Sequence, residues 1–422
     1  MASGQRPTNG TRTNGRPPKG ERPQGRPGQR PPRGRRPSKG EEERRRPPME
    51  GNRKRRPPSG ENRRPRQQEQ GYREEPVKKK KGKGKMIALG IVIFLIFILM
   101  LSVLYVITKL GKIQNINIDE NNLKIDETVQ TNESLKGYKN IALFGVDSRD
   151  GKLGKGTRTD TIMIASLNED TGDIKLLSIF RDTYLNLGND VYDKANAAYA
   201  NGGPEQAIQM LNMNLDMNIT DYVTADFTAL SDVIDALGGI PIDVQDEEIV
   251  HLNNYQIETA KVAGKEIEKI TAPGLQTLNG VQATSYARIR YTAGDDFKRA
   301  ERQRTVLTEI AKKAKEADVV TLNKIINSVF PKIATSFTTS ELISYAAGVI
   351  KYNIADTSGF PFDRKTGEIG KKGDCVVAED LTGNVQKAHE FFFGTTGEGY
   401  IPSETVKTLS EKIKNDTAQY LR

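Results

Sequence analysis

Twenty-three consecutive residues, Met86–Thr108 (MIALGIVIFLIFILMLSVLYVIT), carry no charge. As a helix rising 1.5 Å per residue this run reaches roughly 35 Å, enough to span the hydrocarbon core of a bilayer. A cleavable signal peptide is the competing reading. The long upstream tail, the length of the run and the lack of a small-residue cleavage site after it weigh against that alternative. Lys78–Lys81, Lys83 and Lys85 abut its N-terminal side, whereas only Lys109 and Lys112 stand close beyond it. The positive-inside bias then keeps residues 1–85 in the cytoplasm and sends residues 110–422 outside.

Charge divides the chain at the same place. Residues 1–85 hold 28 of the 64 Lys and Arg but 9 of the 54 acids, and 14 of the 20 prolines. So charged and Pro-rich a stretch buries too little apolar surface to offset its ordering entropy, and the expectation is a disordered basic cytoplasmic tail. The remaining residues carry 36 basic against 45 acidic side chains, a net of −9 within the overall +10. The high isoelectric point therefore belongs to the tail. Contact with anionic lipid is its expected role, since it lacks the apolar periodicity of a folded nucleic-acid-binding module.

The exported part has one cysteine, Cys375, and so no intrachain disulfide. His251 and His389 are the only histidines, and neither has a companion at metal-ligand spacing. A zinc site and a Ser-His-Asp triad are both disfavoured, and two surface histidines are expected.

The pattern beyond the span predicts an α/β domain. Residues 109–136 are polar, rich in Asn and expected to be a stalk; 137–395 form the domain and 396–422 a C-terminal extension. Lys139–Val146 reads as a buried strand delivering Asp147 to a sheet edge. Thr161–Leu167 and Ile174–Phe180 read as a hairpin around NEDTGD, with Asp160 and Arg181 at strand ends. Gly203-Pro204 opens a helix, Phe227–Leu237 forms one that stops at Gly238-Gly239, and Ile240–Val244 returns to strand. Thr338 and Glu341 form a capping box. In YARIRY, β-alternation would place Arg288 and Arg290 on one face. In the following helix Arg299, Arg302 and Gln303 stand at i, i+3 and i+4.

Asp147 and Asp160, with Arg181, Arg288, Arg290, Arg299, Arg302 and Gln303, thus come from separated segments beyond the span. Paired carboxylates with converging guanidiniums suit a substrate of clustered phosphates that arrives with a divalent metal. The competing reading of the helical arginines is a solvated basic face paired with Glu301 and Asp296.

The ordered runs NIALFGVDSRD, RTDTIMIASLN, LLSIFRDTY, DKANAAYANGGPEQAI, DALGGIPIDV, LNGVQATSYARIRY and DDFKRAERQR resemble the LytR-CpsA-Psr family across residues 137–350, with a weaker continuation to about 395. One departure is Phe180, where the family more often has Pro. The resemblance implies a three-layer α/β/α domain with a mixed central sheet, and a phosphotransferase that moves a wall polymer from a polyprenyl-pyrophosphate carrier onto peptidoglycan. It implies Mg²⁺ (or Mn²⁺) held by Asp147 and Asp160. It implies pyrophosphate contacts from Arg181, Arg288, Arg290, Arg299, Arg302 and Gln303, with Asp296 at an acidic position of the family pattern. Asp296 or Asp182 would take the acceptor proton, Asp182 more naturally orienting arginines. An apolar tunnel for the lipid would draw on Met210, Leu211, Met213, Met217, Leu230, Val233, Ile234, Ile310, Val319, Ile325 and Ile326, residues that in most proteins simply form core. Two other classes stand beside this one: a lipid-binding module without chemistry, and a transcriptional regulator, for which the tail offers no DNA-binding domain; a pyrophosphatase that uses water in place of the sugar hydroxyl is a variant of the transferase.

Overall fold

The structure, a computed structural model, describes residues 83–148, 151–290, 295–394 and 399–421. The chain falls into two units, Met1–Lys79 and Lys80–Arg422. The first, and with it nearly all of the expected tail, lies outside the described residues. Helix α1 (Lys83–Leu110) is continuous over 28 residues. The side chains of its first ten residues lie outside the described set. Among the described residues no helix is long and apolar enough to cross a membrane, so placing Met86–Thr108 in a bilayer rests on its uncharged sequence.

The centre of the second unit is a seven-stranded mixed sheet. Its strands are β1 (Gln114–Asn115), β2 (Tyr138–Val146), β3 (Thr159–Asn168), β4 (Asp173–Ile179), β5 (Asp221–Asp226), β6 (Ile333–Thr335) and β7 (Asn353–Phe360), in the order β1-β6-β5-β2-β3-β4-β7. β2, β3 and β4 form an antiparallel meander, while β5 runs parallel to β2 and β7 parallel to β4. The longer helices that follow α1 are α2 (Asn196–Leu215), α3 (Phe227–Ala236), α4 (Asp246–Ala263), α5 (Gly280–Tyr286), α6 (Asp295–Lys315), α7 (Val319–Val329), α8 (Thr339–Gly348), α9 (Leu381–Phe393) and α10 (Glu404–Thr417).

Strand alternation sorts the two faces. Ala142, Phe144 and Val146 of β2 are buried in the main core with Tyr199, Leu211 and Leu215 of α2 and Val385 and Phe392 of α9. Leu143 and Gly145 point the other way and are only partly buried. That second face is overlain by α3 and α6. A smaller core beside it packs Ile234, Leu252 and Val306 around the hairpin Ile240–Val244/Gly274–Leu278. The result is a central mixed sheet flanked by helices.

Local signals explain most boundaries. Inside α2, Gly203 adopts φ 71°, ψ −157°, so the regular helix restarts at Pro204, the tolerated first-turn position. α3 ends before Gly238 at φ 76°. The Thr338 capping box forms with both halves in place.

Three expectations are corrected. Residues 113–136 are not a free stalk: Gln114 and Asn115 pair with β6, and Leu123, Val129 and Leu135 are buried. Three apolar residues within a polar segment suffice to strap it down. Residues 286–290 of YARIRY are not a strand; Tyr286 closes α5, and Ala287–Arg290 form its C-terminal cap and the exit from it. Its alternation is too short to outweigh the Asn279–Gln282 capping box that starts the helix.

His389, thirdly, is not a surface residue. It is 1% exposed and stacks on Tyr400 at 3.5 Å, and its Nε2 donates to the Leu215 carbonyl at 3.0 Å. Beside it Tyr400 and Ser403 hydrogen-bond the Asp216 carboxylate, which docks α10 onto the end of α2. Burial pushes the His389 pKa down to about 4, because the charged ring would be desolvated. A group depressed on folding gives stability that is full above its unfolded pKa of about 6.5 and is lost as pH falls toward the folded value. The loss should be on the order of 3 kcal/mol by about pH 4. In thermal melts His389→Phe, which keeps the stack on Tyr400, should flatten the pH dependence of the midpoint between pH 7 and pH 4. An unchanged slope would remove His389 as its source.

Candidate functional site

The site forms where β2, β3 and β4 end. Gly145 pairs with Thr161 but Val146 pairs with Thr159, so the register slips and Asp160 is left between matched positions. Such a slip turns the extra residue out of the ladder. Gly145 also allows close approach, since a Cβ there would lie 2.9 Å from the Thr161 side chain. Arg181 leaves the end of β4, and its Nη1 donates to Asp160 Oδ1 at 2.5 Å. Phe180, the departure from the family pattern, packs edge-on against Phe297 with ring centres 4.6 Å apart. It thereby fixes the first turn of α6 beside Arg181.

Around this pair the predicted residues converge. Arg181 Nε lies 3.3 Å from Asp182 and 3.6 Å from Asp296. Arg290 lies 3.6 Å from both Asp160 and Asp296. A pocket of about 200 Å³ is lined by Asp160, Phe227, Tyr255, Arg288, Arg290, Arg299 and Gln303. Arg288 is held by Glu258 at 2.8 Å and Thr259 at 3.0 Å, with Phe227 and Tyr255 against its guanidinium plane. Asp147 lines a recess on the far side of Arg288 and Phe227.

Arg302 goes elsewhere. It is 4% exposed, and its Nε donates to Glu248 at 2.6 Å and its Nη1 to the Ile289 carbonyl at 3.2 Å. It sits in the same helical motif as Arg299 but braces the segment that carries Arg288 and Arg290. The i, i+3, i+4 spacing spreads over a wide arc, and Glu248 captures the member that points toward α4.

Arg299 is electrostatically unusual. It is 4% exposed, and Nε and Nη1 have no hydrogen-bond partner among the described residues. Burial, with the Arg181 and Arg290 guanidiniums nearby, drags its pKa down to about 10 despite Asp296 and Asp160. Asp296 Oδ1 lies 3.4 Å from its Nη1, and burying a cation with so few hydrogen bonds remains costly unless a further anion arrives to share the space. Asp182 and Asp296 lie within reach of one shared proton. Burial and Asp182 push the Asp296 pKa up. Burial also opposes charge on Asp182, but Asp296, Arg181 and Lys194 more than offset it and hold its pKa low. The two carboxyls are thus pushed apart, one toward the acid and one toward the carboxylate.

Among the described residues no group of three or more His, Cys, Asp or Glu is placed to hold a metal ion. Asp147 and Asp160, on opposite sides of Arg288, are a two-carboxylate donor set. Carboxylate oxygens are the hard donors Mg²⁺ takes, but the two line separate recesses, so any ion held there would draw most of its shell from phosphate oxygens and water.

The polar pocket adjoins an apolar one. Phe227 and Gln303 also line a cavity of about 180 Å³ bounded by Leu143, Val223, Ala225, Leu230, Val306 and Leu307. Of the expected tunnel residues Leu230 is here. Met210, Leu211 and Met217 are buried in the main core on the opposite face of the sheet. Ile234, Val233 and Ile310 belong to the second core. Methionine content was a poor guide. The better signal was IALFGV, whose alternation is apolar on both faces, so that the sheet has two apolar sides to cover.

The chain belongs to the LytR_cpsA_psr family, which matches residues 100–373. Among named relatives, the polyisoprenyl-teichoic acid–peptidoglycan teichoic acid transferase TagU of Enterococcus faecalis is 30% identical over 250 residues, covering 58% of this chain and 75% of that protein. The corresponding transferase TagT of Bacillus subtilis is 27% identical over 256 residues, covering 59% and 75%. A crystal structure from Streptococcus agalactiae superposes with a TM-score of 0.53 at 21% identity over 66% of this chain and 94% of that one, a likeness of fold.

Proposed function

We propose that this protein is a membrane-anchored phosphotransferase that moves a wall polymer from a polyprenyl-pyrophosphate carrier onto peptidoglycan. One observation carries the reading: a pocket lined by Arg288, Arg290 and Arg299 adjoins an apolar cavity, the two sharing Phe227 and Gln303 as walls. An anionic diphosphate head joined to a hydrocarbon tail satisfies both parts at once. The family membership and the names of its relatives support the same assignment.

The chemistry follows from the residues. Arg181, Arg288, Arg290 and Arg299 grip the diphosphate oxygens; guanidiniums suit this because their planar fork holds two oxygens and keeps its charge near neutral pH. Asp147 and Asp160 would hold Mg²⁺, which supplies positive charge to the leaving phosphate. An acceptor sugar hydroxyl attacks the phosphorus nearer the polymer, a new P–O bond forms, and the bond to the polyprenyl phosphate breaks. The departing monophosphate is a stable anion. The hydroxyl proton passes to the Asp182–Asp296 carboxyl pair, which carries it to solvent. Arg181, touching both carboxyls, holds that pair beside the phosphates. Most of the acceleration comes from positioning and from charge already in place.

Arg290→Ala and Asp160→Ala should each lose transfer from a polyprenyl-pyrophosphate sugar to a glycan acceptor, with circular dichroism unchanged. Chelation of divalent metal should stop the wild type, and added Mg²⁺ should restore it. Full activity in both variants would contradict the assignment.

A further inference from the structure

Helix α7 joins α1 through polar bonds that fix its direction. Tyr105 Oη donates to Asn323 Oδ1 at 2.5 Å, and Lys109 and Lys112 donate to Asn327 Oδ1 at 2.5 and 3.0 Å. The pairs 105/323 and 109/327 advance together by one turn, so the two helices run side by side in the same sense. One turn further back, about 6 Å along the axis, Val319 stands level with Leu101. Leu101 lies seven residues inside the uncharged run that ends at Thr108, about 10 Å along the helix.

At that level the protein leaves apolar side chains uncovered. Val319 is 81% exposed and Val320 63%. Only Val329 of α7 is fully buried, although the sequence DVVTLNKIINSV alternates at helical spacing. Lys312, Lys313 and Lys315 close the last turn of α6 just before this corner. Glu316 and Asp318 stand between these lysines and Val319, so the feature that suits a surface of acyl chains is the pair of exposed valines beside the uncharged helix.

The two helices that meet at this corner lead back to the apolar cavity, about two turns before it on α6. α7 packs on α3, which contributes Phe227 and Leu230 to the cavity wall, and α6 contributes Val306 and Leu307. We propose that the α6–α7 corner, with Val319 and Val320 at its tip, inserts into the outer leaflet beside α1 and sets the apolar cavity against the lipid, so that the carrier's chain passes from bilayer to cavity without crossing water. The inference rests on the reading of Met86–Thr108 as a membrane span, and its partner is the lipid surface itself.

Because the chain has no tryptophan, a single introduced indole reports depth unambiguously. Full-length Val319→Trp in phosphatidylglycerol/phosphatidylcholine vesicles should be quenched more by lipids brominated partway down the acyl chain than by those brominated at its methyl end. Leu95→Trp should show the reverse order, and Ile401→Trp, at a site 72% exposed on the other face of the sheet, should not be quenched. Quenching of Leu95→Trp without quenching of Val319→Trp would overturn the inserted corner and leave the span standing. No quenching of Leu95→Trp would remove the span and the corner with it. The double variant Val319→Asp/Val320→Asp should lower transfer from vesicle-embedded carrier several-fold while leaving transfer from a short, water-soluble prenyl carrier unchanged. Equal loss on both carriers would also overturn the proposal.

Discussion

Arg299→Ala should cut transfer by roughly 10²–10³-fold, the usual effect of deleting one preorganised donor to developing charge, while leaving the empty protein as stable as before or more so. Both halves follow from one fact. The Arg299 guanidinium is buried, lowered to a pKa of about 10, and paired with Asp296 at 3.4 Å without a hydrogen bond to Nε or Nη1 among the described residues. Its desolvation is a standing cost of the unliganded fold, which a bound diphosphate relieves. Arg302→Ala, three residues further along the same helix, should do the opposite. It would strand Glu248, itself 4% exposed, and lower stability by about 3–5 kcal/mol. Thermal melts of the two variants, with and without a prenyl pyrophosphate, separate the cases. Ligand should raise the wild-type midpoint far more than that of Arg299→Ala. Equal destabilisation by both substitutions would mean that Arg299 is a structural ion-pair member like Arg302.

Filling the apolar cavity should separate tail from head. Val223→Trp places an indole from the partly buried face of β5 into a space of about 180 Å³. Because the side chain enters a void and not packed core, the fold should tolerate it better than the usual overpacking cost of about 1–3 kcal/mol. Each buried methylene of a lipid contributes about 0.8 kcal/mol, so excluding even one isoprene unit weakens long-chain binding by an order of magnitude or more. Binding titrations should show that loss for a long-chain prenyl pyrophosphate and little change for inorganic pyrophosphate. Equal weakening of both would show that the cavity does not hold the chain.

The parts of the fold that were legible in sequence are those with local causes. The β2–β3–β4 meander announced itself by apolar runs around NEDTGD, and α2, α3 and α8 by Pro204, Gly238 and the Thr338 box. The arginines converge although they come from separate segments, because each lies at an element end on one edge of the sheet. What sequence did not reveal depended on tertiary partners. Arg302 is diverted by Glu248, fifty-four residues away in the chain. Phe227, Tyr255 and Glu258 line or brace the pocket from α3 and α4 and carry no motif that separates them from ordinary helical residues. The apolar cavity is a property of two elements failing to touch, which no single segment encodes. His389 looked like a surface residue because nothing local signals the stack on Tyr400.

The fate of phosphorus tests the central claim most directly. The full-length protein would be given a polyprenyl-pyrophosphate sugar labelled on the phosphorus nearer the sugar, Mg²⁺ and a peptidoglycan glycan acceptor, in a single turnover. The account predicts that the label appears in a phosphodiester on the glycan while an equal amount of unlabelled polyprenyl monophosphate is released. Label that stays wholly in intact carrier, with the lipid bound, or that leaves as a free sugar phosphate, would contradict it.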